Sequence, residues 1–260
     1  IRLARAFILL VCIAQWTLTS LIRARSGNSV YRAYMNDAER IAQYHACRKG
    51  LADNVIVEGV HAFKHASRFG ARFEEVLTMD TERVCALMAD IADEGDVAVV
   101  KRFTQQVDPE LFHALAPHAM RTGLVARARR PPEITLDACD AHKPIVVLED
   151  PHDAENVGAS IRVAAAFGAG AVVVTGTTRP WHANCIRASA GLHWALPVLS
   201  APSVDALMGT RPLVACDADG ESLYARPVPP HALLVFGTER HGLTESTKQR
   251  ADRIIALPMQ

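Results

Sequence analysis

The sequence predicts an α/β protein built of two consecutive units, a small α/β unit followed by a parallel-sheet unit. Short apolar runs alternate with amphipathic stretches in both halves of the 260 residues, and this alternation is typical of α/β folds. In the second half the apolar runs are nearly continuous, as expected of parallel strands that are covered on both faces. Two prolines at 131–132 separate the halves, which indicates a domain boundary near Pro132.

The first unit is predicted from its strand runs and helix signals. Gly70 ends one helix, Asp80 can cap the next, and Asp108 followed by Pro109 is an N-cap with proline in the first helical turn. We expect strands at 54–57, 73–78, 96–100 and 124–128. We expect helices at 60–69, from 81 to about 92, and from 109 onward.

The second unit shows a stronger alternation from residue 143 to the end of the sequence. Predicted strands cover 145–148, 171–175, 213–216, 233–236 and 254–257. Predicted helices cover 156–167, 182–191, 203–208 and 244–251. Ligands of such sheets bind outside the carboxyl ends of the strands, so the residues that follow each strand are the candidates for a site.

Composition excludes several classes of protein. Lys+Arg and Asp+Glu both total 28, so no overall charge attracts nucleic acid and any basic surface must be local. The six cysteines contain no C-x-x-C pair, which argues against a zinc ribbon or a disulfide framework and favours a reducing, cytoplasmic setting. The eleven histidines lack the H-E-x-x-H spacing, so no metal is predicted.

The beginning of the chain is predicted to be a non-native or apolar extension over residues 1–34. Residues 6–22 form a 17-residue uncharged run between Arg5 and Arg23, short for a bilayer span and diluted by polar residues. We expect translation to start near Met35 in the natural protein. A membrane anchor is the alternative reading of this run.

Three strand ends carry polar or glycine-rich sequence. The strand at 145–148 leads to Asn156 and Arg162, and the strand at 233–236 runs into Gly237 and Glu239. The last strand meets Pro258, which cannot donate to a β-ladder. No G-x-G-x-x-G follows a strand, so a nicotinamide site is not predicted. A glycine at a strand end lets a ligand approach the backbone closely.

These strand ends resemble the three motifs of the SpoU/TrmH family of RNA methyltransferases, part of the SPOUT superfamily. The matching segments are N-x-G-x-x-x-R at 156–162, F-G-x-E-x-x-G-L at 236–243 and I-x-L-P-M at 255–259, in the family's order and spacing. Residues 186–191 resemble the segment between the first two motifs. The amino-terminal half resembles the L30e-like substrate-binding domain of many members, with 57–59 near its start.

The resemblance implies an L30e-like domain over 35–132 and a trefoil-knotted SPOUT domain over 143–260. It further implies a homodimer that transfers a methyl group from S-adenosylmethionine to a ribose 2′-hydroxyl of rRNA or tRNA, without metal or membrane. Family members continue past the third motif with a segment that completes the knot and the cofactor pocket. We therefore expect the 260 residues to lack that segment, which leaves their own activity open.

The resemblance also assigns roles to single residues. It implies that Arg162 and Asn156 act in catalysis, that Glu239 organises the site, and that Gly237 and Leu257 line the cofactor pocket. A guanidinium is effectively always protonated, which makes it a poor base. We therefore expect Arg162 to stabilise negative charge that develops on the 2′-oxygen.

A cluster of arginines precedes the boundary between the units, at Arg121, Arg127, Arg129 and Arg130. By itself the cluster is equally a solvated edge or a phosphate-contacting patch. With the resemblance, we expect it to contact RNA. Two other functions remain open: a non-catalytic RNA-binding or ribosome-assembly factor on the same fold, and, less favoured, an S-adenosylmethionine enzyme acting on protein or small molecules.

Overall fold

The computed structural model describes residues 36–209 and 211–258. The predicted extension at 1–34, the proposed start at Met35 and the third-motif Met259 lie outside the described residues. Within the described ranges, no helix combines the length and apolar character needed to cross a bilayer. Two separate β-sheets, one in each half of the chain, organise the fold.

The first unit holds a four-stranded sheet in the order β1-β4-β2-β3. β4 is antiparallel to both β1 and β2, and the short β3 is parallel to β2. The strands are β1 (Asn54–Glu58), β2 (Arg72–Thr78), β3 (Gln105–Gln106) and β4 (Leu124–Arg129). The helices are α1 (Asp37–Arg48), α2 (Val60–Arg68), α3 (Thr81–Ala89), α4 (Glu94–Phe103) and α5 (Pro109–Leu115).

Both faces of this sheet are covered by helices. Val55 and Val57 pack with Phe63 of α2 in one cluster, whereas Ile56 between them packs with Tyr44 of α1 and with α5 in another. This split follows from the period of two along a strand, which sends successive side chains to opposite faces. α1 was not predicted, although Asn36 and Glu39 form a capping box at its start.

The strand predicted at 96–100 is wrong, because these residues belong to α4. The side chain of Asp93 caps that helix by accepting a hydrogen bond from the backbone N–H of Asp96 at 2.9 Å. Val97 and Val100 then lie three residues apart on one side, with Val100 fully buried. The run of valines suggested a strand, but the N-cap and the helical spacing of the buried positions decide for a helix.

The second unit holds a six-stranded parallel sheet in the order β10-β8-β9-β5-β6-β7. Its strands are β5 (Ile145–Leu148), β6 (Ala171–Thr175), β7 (Val198–Ala201), β8 (Leu213–Ser222), β9 (Leu233–Phe236) and β10 (Arg253–Ala256). Its helices are α6 (Ala154–Ala166), α7 (Ala183–Ala188) and α8 (Glu245–Arg250). All five predicted strands are present, and β7 is an additional one.

The helix predicted at 203–208 is wrong, since only the single 3-10 turn Val204–Leu207 forms there. Ser203 gives this turn no side-chain cap, and Gly209, which seven residues separate from the end of β7, adopts a left-handed φ of +98°. The turn nevertheless buries Val204 and Leu207 beneath the sheet edge.

The strand order places a crevice at the middle of the sheet. From β5 the chain moves outward to β6 and β7 on one side, and it later fills β8, β9 and β10 on the other side. β5 and β9 are therefore neighbours at which the winding direction reverses. Such a switch point, at the carboxyl ends of the strands, is where open α/β sheets bind ligands.

Candidate active site

The first and second motifs meet at the crevice between β5 and β9. The amide Nδ2 of Asn156 donates a hydrogen bond to Oε1 of Glu239 at 2.9 Å. Asn156 is held in the first turn of α6 because Asp153 caps that helix, accepting from the backbone N–H groups of Glu155 and Asn156. The hydrogen bond from Asn156 lowers the pKa of Glu239 below its ordinary value. Glu239 is thus an ionised acceptor that orients Asn156.

The loop of the second motif is a tight turn that requires glycine at Gly237. A Cβ atom added there would lie 2.0 Å from the backbone carbon of Gly242 and 2.3 Å from the nitrogen of Leu243. Thr238 and Gly242 close the turn by exchanging backbone hydrogen bonds of 2.9 and 3.1 Å. Gly242 itself adopts a φ of +67°, in the left-handed region that glycine accepts without strain.

A buried carboxylate, which the sequence reasoning missed, holds this loop to β5. Oε2 of Glu149 accepts the backbone N–H of Thr244 at 2.9 Å, and Oε1 accepts the hydroxyls of Thr244 at 2.9 Å and Thr247 at 2.5 Å. Glu149 directly follows β5, and Thr244 is the N-cap of α8. Two features of the sequence could have indicated this contact: an acidic residue, Glu149, at the end of a buried strand, and the pattern T-x-x-T at 244–247 at the start of a helix.

The third motif lies at the same edge of the sheet. Leu257 follows β10, which is separated from β9 only by β8. Its side chain is 59% exposed, unusual for a leucine beside a buried strand. Gly237 and Leu257 therefore end two strands of one parallel sheet and lie at a common carboxyl edge.

Arg162 takes no part in the hydrogen bond between Asn156 and Glu239. It is six residues along α6 from Asn156, which corresponds to about 9 Å of helix rise and a different side of the helix. Its side chain is exposed and forms no ion pair with any residue that the structure describes. Within one chain, the structure does not bring Arg162 to the Asn156–Glu239 pair.

The structure does not gather the four predicted RNA-binding arginines into one patch. Arg121 precedes β4 and Arg130 follows it, so the strand separates them by roughly 20 Å. Arg127 points to the face covered by α1, where it is half-buried opposite Glu75. Arg129 is exposed and lies 3.6 Å from Glu74.

An ion-pair cluster at the junction of the two units was also missed. Glu58, buried at the end of β1, pairs with Arg48 of α1 and lies 3.6 Å from Nη1 of Arg187 on α7. Nη2 of Arg187 in turn donates to Glu155 at 3.0 Å, in the first turn of α6 next to Asn156. The first unit is thereby tied to the helix that carries Asn156.

Cys185 and His193 are buried and have packing roles. Among the described residues, no group of three or more His, Cys, Asp or Glu side chains is placed to hold a metal ion. Burial raises the pKa of Cys185 to about 12, which leaves its thiol protonated. Burial likewise lowers the pKa of His193 to about 4, and its ring nitrogens contact Ser189 Oγ and the carbonyl oxygen of Pro180, each at 2.7 Å.

Comparison with known proteins finds one matching family model and several relatives. Residues 143–260 match the SpoU rRNA Methylase family. The chain is 27% identical over 221 residues to the 23S rRNA (guanosine-2′-O-)-methyltransferase RlmB of Pectobacterium atrosepticum, covering 78% of this chain and 88% of that protein. It is 24% identical over 212 residues to the 23S rRNA (adenosine(1067)-2′-O)-methyltransferase of Streptomyces azureus, covering 78% and 77%.

Two further matches show how far the similarity extends in sequence and in structure. The chain spans 30% of the Ribosomal RNA small subunit methyltransferase G 2 of Syntrophobacter fumaroxidans, at 29% identity over 154 residues and 56% of this chain. The SpoU methyltransferase AviRb of Streptomyces viridochromogenes, solved with AdoMet, superposes with a TM-score of 0.68 at 22% identity, over 85% of this chain and 89% of that one. That likeness confirms the α/β fold with its parallel sheet. The carboxyl-terminal unit, residues 143–260, is thus the part of this chain that matches the SpoU rRNA methylase family.

Proposed function

We propose that this protein is an RNA methyltransferase that transfers a methyl group from S-adenosylmethionine to a ribose 2′-hydroxyl of rRNA or tRNA. The observation that carries the proposal is the meeting of the first two SpoU motifs at the β5–β9 switch point through the 2.9 Å bond between Asn156 and Glu239. The related 23S rRNA 2′-O-methyltransferases support the choice of substrate.

The residues at the sheet edge suit an adenosyl group. Gly242 has open space beside it, since a Cβ added there would meet nothing closer than Asp217 at 4.0 Å, so the backbone at this end of the turn can come close to a nucleoside. The exposed Leu257 supplies an apolar surface for a flat base at the end of β10. When bound, S-adenosylmethionine supplies an electrophilic methyl group. We propose Gly237 and Leu257 as cofactor contacts.

The protein's share of the reaction is to position the hydroxyl and to assist loss of its proton. Correct orientation of the two reacting groups alone can supply a large part of the lowering of the activation barrier in such transfers. Glu239 fixes the direction in which Asn156 points, and Asn156 can bind the ribose or its neighbouring phosphate. We propose that Arg162, a permanent cation, stabilises negative charge on the 2′-oxygen in the transition state.

A homodimer is the proposed assembly. Val163 follows Arg162 on α6, and Phe167 is the C-cap residue of that helix, four residues farther along; they are 55% and 87% exposed. This apolar side of the helix is suited to burial against a second copy. A second copy packed along α6 would also change the surroundings of Arg162, which is isolated in one chain. The trefoil knot implied by the family resemblance stays a prediction, as does a cytoplasmic location.

The first unit is proposed to bind the substrate RNA. We propose that it extends over residues 35–132 as an L30e-like domain. Besides the family resemblance, ion pairs support this role. The contacts of Arg187 with Glu58 and Glu155 join this unit to the helices that carry the site. A non-catalytic RNA-binding factor is the second candidate, favoured by the distance of Arg162 from the Asn156–Glu239 pair.

The test is methyl transfer to RNA by the purified protein, with calorimetry of S-adenosylmethionine binding alongside. Bulk rRNA and tRNA serve as substrates, and mapping of 2′-O-methylation in cells without the gene identifies the nucleotide. Glu239→Gln should lower kcat about 10- to 100-fold by loosening Asn156, whereas the exposed Glu82→Gln on α3 should not. Cofactor and RNA binding without any methyl transfer would support the non-catalytic factor.

A conservative variant tests the role of Arg162. Arg162→Lys keeps the charge but loses the planar, bidentate guanidinium, and we expect kcat to fall about tenfold or more with an unchanged Km for S-adenosylmethionine. A normal rate with an unchanged pH profile would show that the geometry of this side chain is irrelevant.

A further inference from the structure

A cleft of about 270 Å³ lies at the junction of the two units. Gly50, Leu51 and Arg130 line it from the first unit. The loop 176–181, which follows β6, and Ser200 of β7 line it from the second. The cleft thus lies between the proposed RNA-binding unit and the proposed catalytic unit, and it does not include the motif residues themselves.

The cleft opens at the same sheet edge as the candidate active site. The loop that lines it leaves β6, the direct neighbour of β5. Thr178 Oγ1 donates a hydrogen bond to the carbonyl of Pro151, and the backbone N–H of Asp150 donates to Thr175 Oγ1 at 3.1 Å. These bonds join the cleft loop to the segment that leads from β5 into Asn156. An RNA strand that lies in the cleft therefore lies next to the segment that carries Asn156.

Two arginines in the cleft are available to an anion. Arg179 is exposed, and its guanidinium has no hydrogen-bond or ion-pair partner among the described residues. Arg130 binds Glu133 at 2.8 Å, but Glu133 is 77% exposed, and such surface pairs contribute little and exchange readily. The carboxylate of Asp150 lies against Gly176 without an ion pair to either arginine in the described chain.

The other lining groups also suit a nucleic-acid backbone. Thr177 supplies a hydroxyl beside the arginines, whereas the hydroxyl of Thr178 already donates to Pro151. Hydroxyl groups commonly contact phosphate oxygens and sugars. Arginine matches the geometry of a phosphate through two parallel hydrogen bonds. Burial first, and then Arg48 and the cleft residue Arg179, lower the pKa of His182 at this junction, whereas Glu58 raises it. The cationic groups of the cleft lining itself are Arg130 and Arg179, although the net charge of the whole chain is zero.

We propose that this cleft binds the phosphate backbone of the substrate RNA beside the nucleotide to be methylated, with Arg130 and Arg179 as the phosphate contacts. The proposal rests on the proposed RNA methyltransferase function and names the surface that holds its substrate. It narrows the predicted arginine cluster to Arg130 and adds Arg179, a residue from the other domain. Arg121 and Arg129 lie outside the cleft lining.

The salt dependence of RNA binding tests the assignment. In anisotropy titrations with an RNA that the parent methylates, Arg130→Ala and Arg179→Ala should each weaken binding several-fold. Each should also reduce the slope of log K against log salt by roughly 0.7 to 0.9, the value for one lost phosphate contact. Arg179→Lys should recover most of the slope. Arg102→Ala, an exposed arginine on α4, is the matched control and should change neither quantity.

The outcomes separate this proposal from the one on which it rests. Each variant is checked by S-adenosylmethionine calorimetry and thermal unfolding, and Arg179→Gln replaces Arg179→Ala if the latter does not fold. If the parent methylates RNA but both cleft variants keep its RNA affinity and salt slope, the cleft assignment is wrong and the methyltransferase function stands. If the parent neither binds nor methylates RNA, both proposals fail.

Discussion

Replacing Gly237 by alanine tests whether the turn of the second motif is required for cofactor binding. The new Cβ would lie 2.0, 2.2 and 2.3 Å from the backbone carbon and oxygen of Gly242 and the nitrogen of Leu243. Carbon atoms reach their optimum contact at about 3.5 Å or beyond. None of the three atoms belongs to a flexible side chain, so rotamer changes cannot relieve the overlap.

The size of the effect follows from that overlap. Restoring ordinary contact to Gly242 requires a shift of about 1.5 Å, which exceeds the tolerance of a hydrogen bond. The paired bonds between Thr238 and Gly242, at 2.9 and 3.1 Å, would then break. Overpacking against rigid surroundings costs about 3 kcal/mol at the upper end of its usual range. We expect that loss in unfolding free energy and at least a tenfold rise in the Kd for S-adenosylmethionine.

Urea unfolding and calorimetry measure the two quantities separately. Gly95→Ala is the control: Gly95 is exposed on α4, and its added Cβ would meet only a side-chain oxygen of Asp93 at 3.2 Å. That variant should stay within about 0.5 kcal/mol of the parent, because alanine favours a helix while the capping carboxylate of Asp93 has to shift slightly. A Gly237→Ala protein within about 0.5 kcal/mol of the parent, with unchanged cofactor affinity, would refute the reasoning.

Three further predictions concern stability. Glu149→Gln removes a buried carboxylate that accepts three hydrogen bonds, so the unfolding free energy should fall by about 2–3 kcal/mol in urea, and a change no larger than that of Glu82→Gln would contradict this. Arg187→Ala leaves Glu58 with one ion-pair partner. It should lower the unfolding free energy by about 1 kcal/mol and speed hydrogen exchange in β1, whereas unchanged exchange would show that the pair of Glu58 with Arg187 does not hold β1 in place. His193 has a folded pKa of about 4, below its ordinary 6.5. Its unfolded form therefore binds the extra proton, and stability that is complete above pH 6.5 should decline by about 3 kcal/mol as the pH falls toward 4. His193→Gln should be less stable but flatter over that window in pH-dependent unfolding, and an equal slope would exclude His193 as its source.

The sequence by itself determined the α/β class, the five apolar strands of the parallel sheet and the positions of the motif loops. These features are local, because a buried parallel strand needs a continuous apolar run whatever packs on it. A motif that directly follows such a strand must lie at the carboxyl edge of the sheet. Where a local pattern was ambiguous, as for the valines at 96–100, the helix cap at Asp93 decided the outcome.

Tertiary structure alone decided which polar side chains share a site. Strand alternation sets the face on which Arg127 lies, but α1 determines that this face is covered. Glu149 and Thr247 are 98 residues apart in sequence and meet only because β5 and β9 are neighbours in the sheet. Arg130 and Arg179 line one cleft because the two units pack together. Contacts between residues so distant along the chain depend on the packing of whole elements, which no short sequence pattern records.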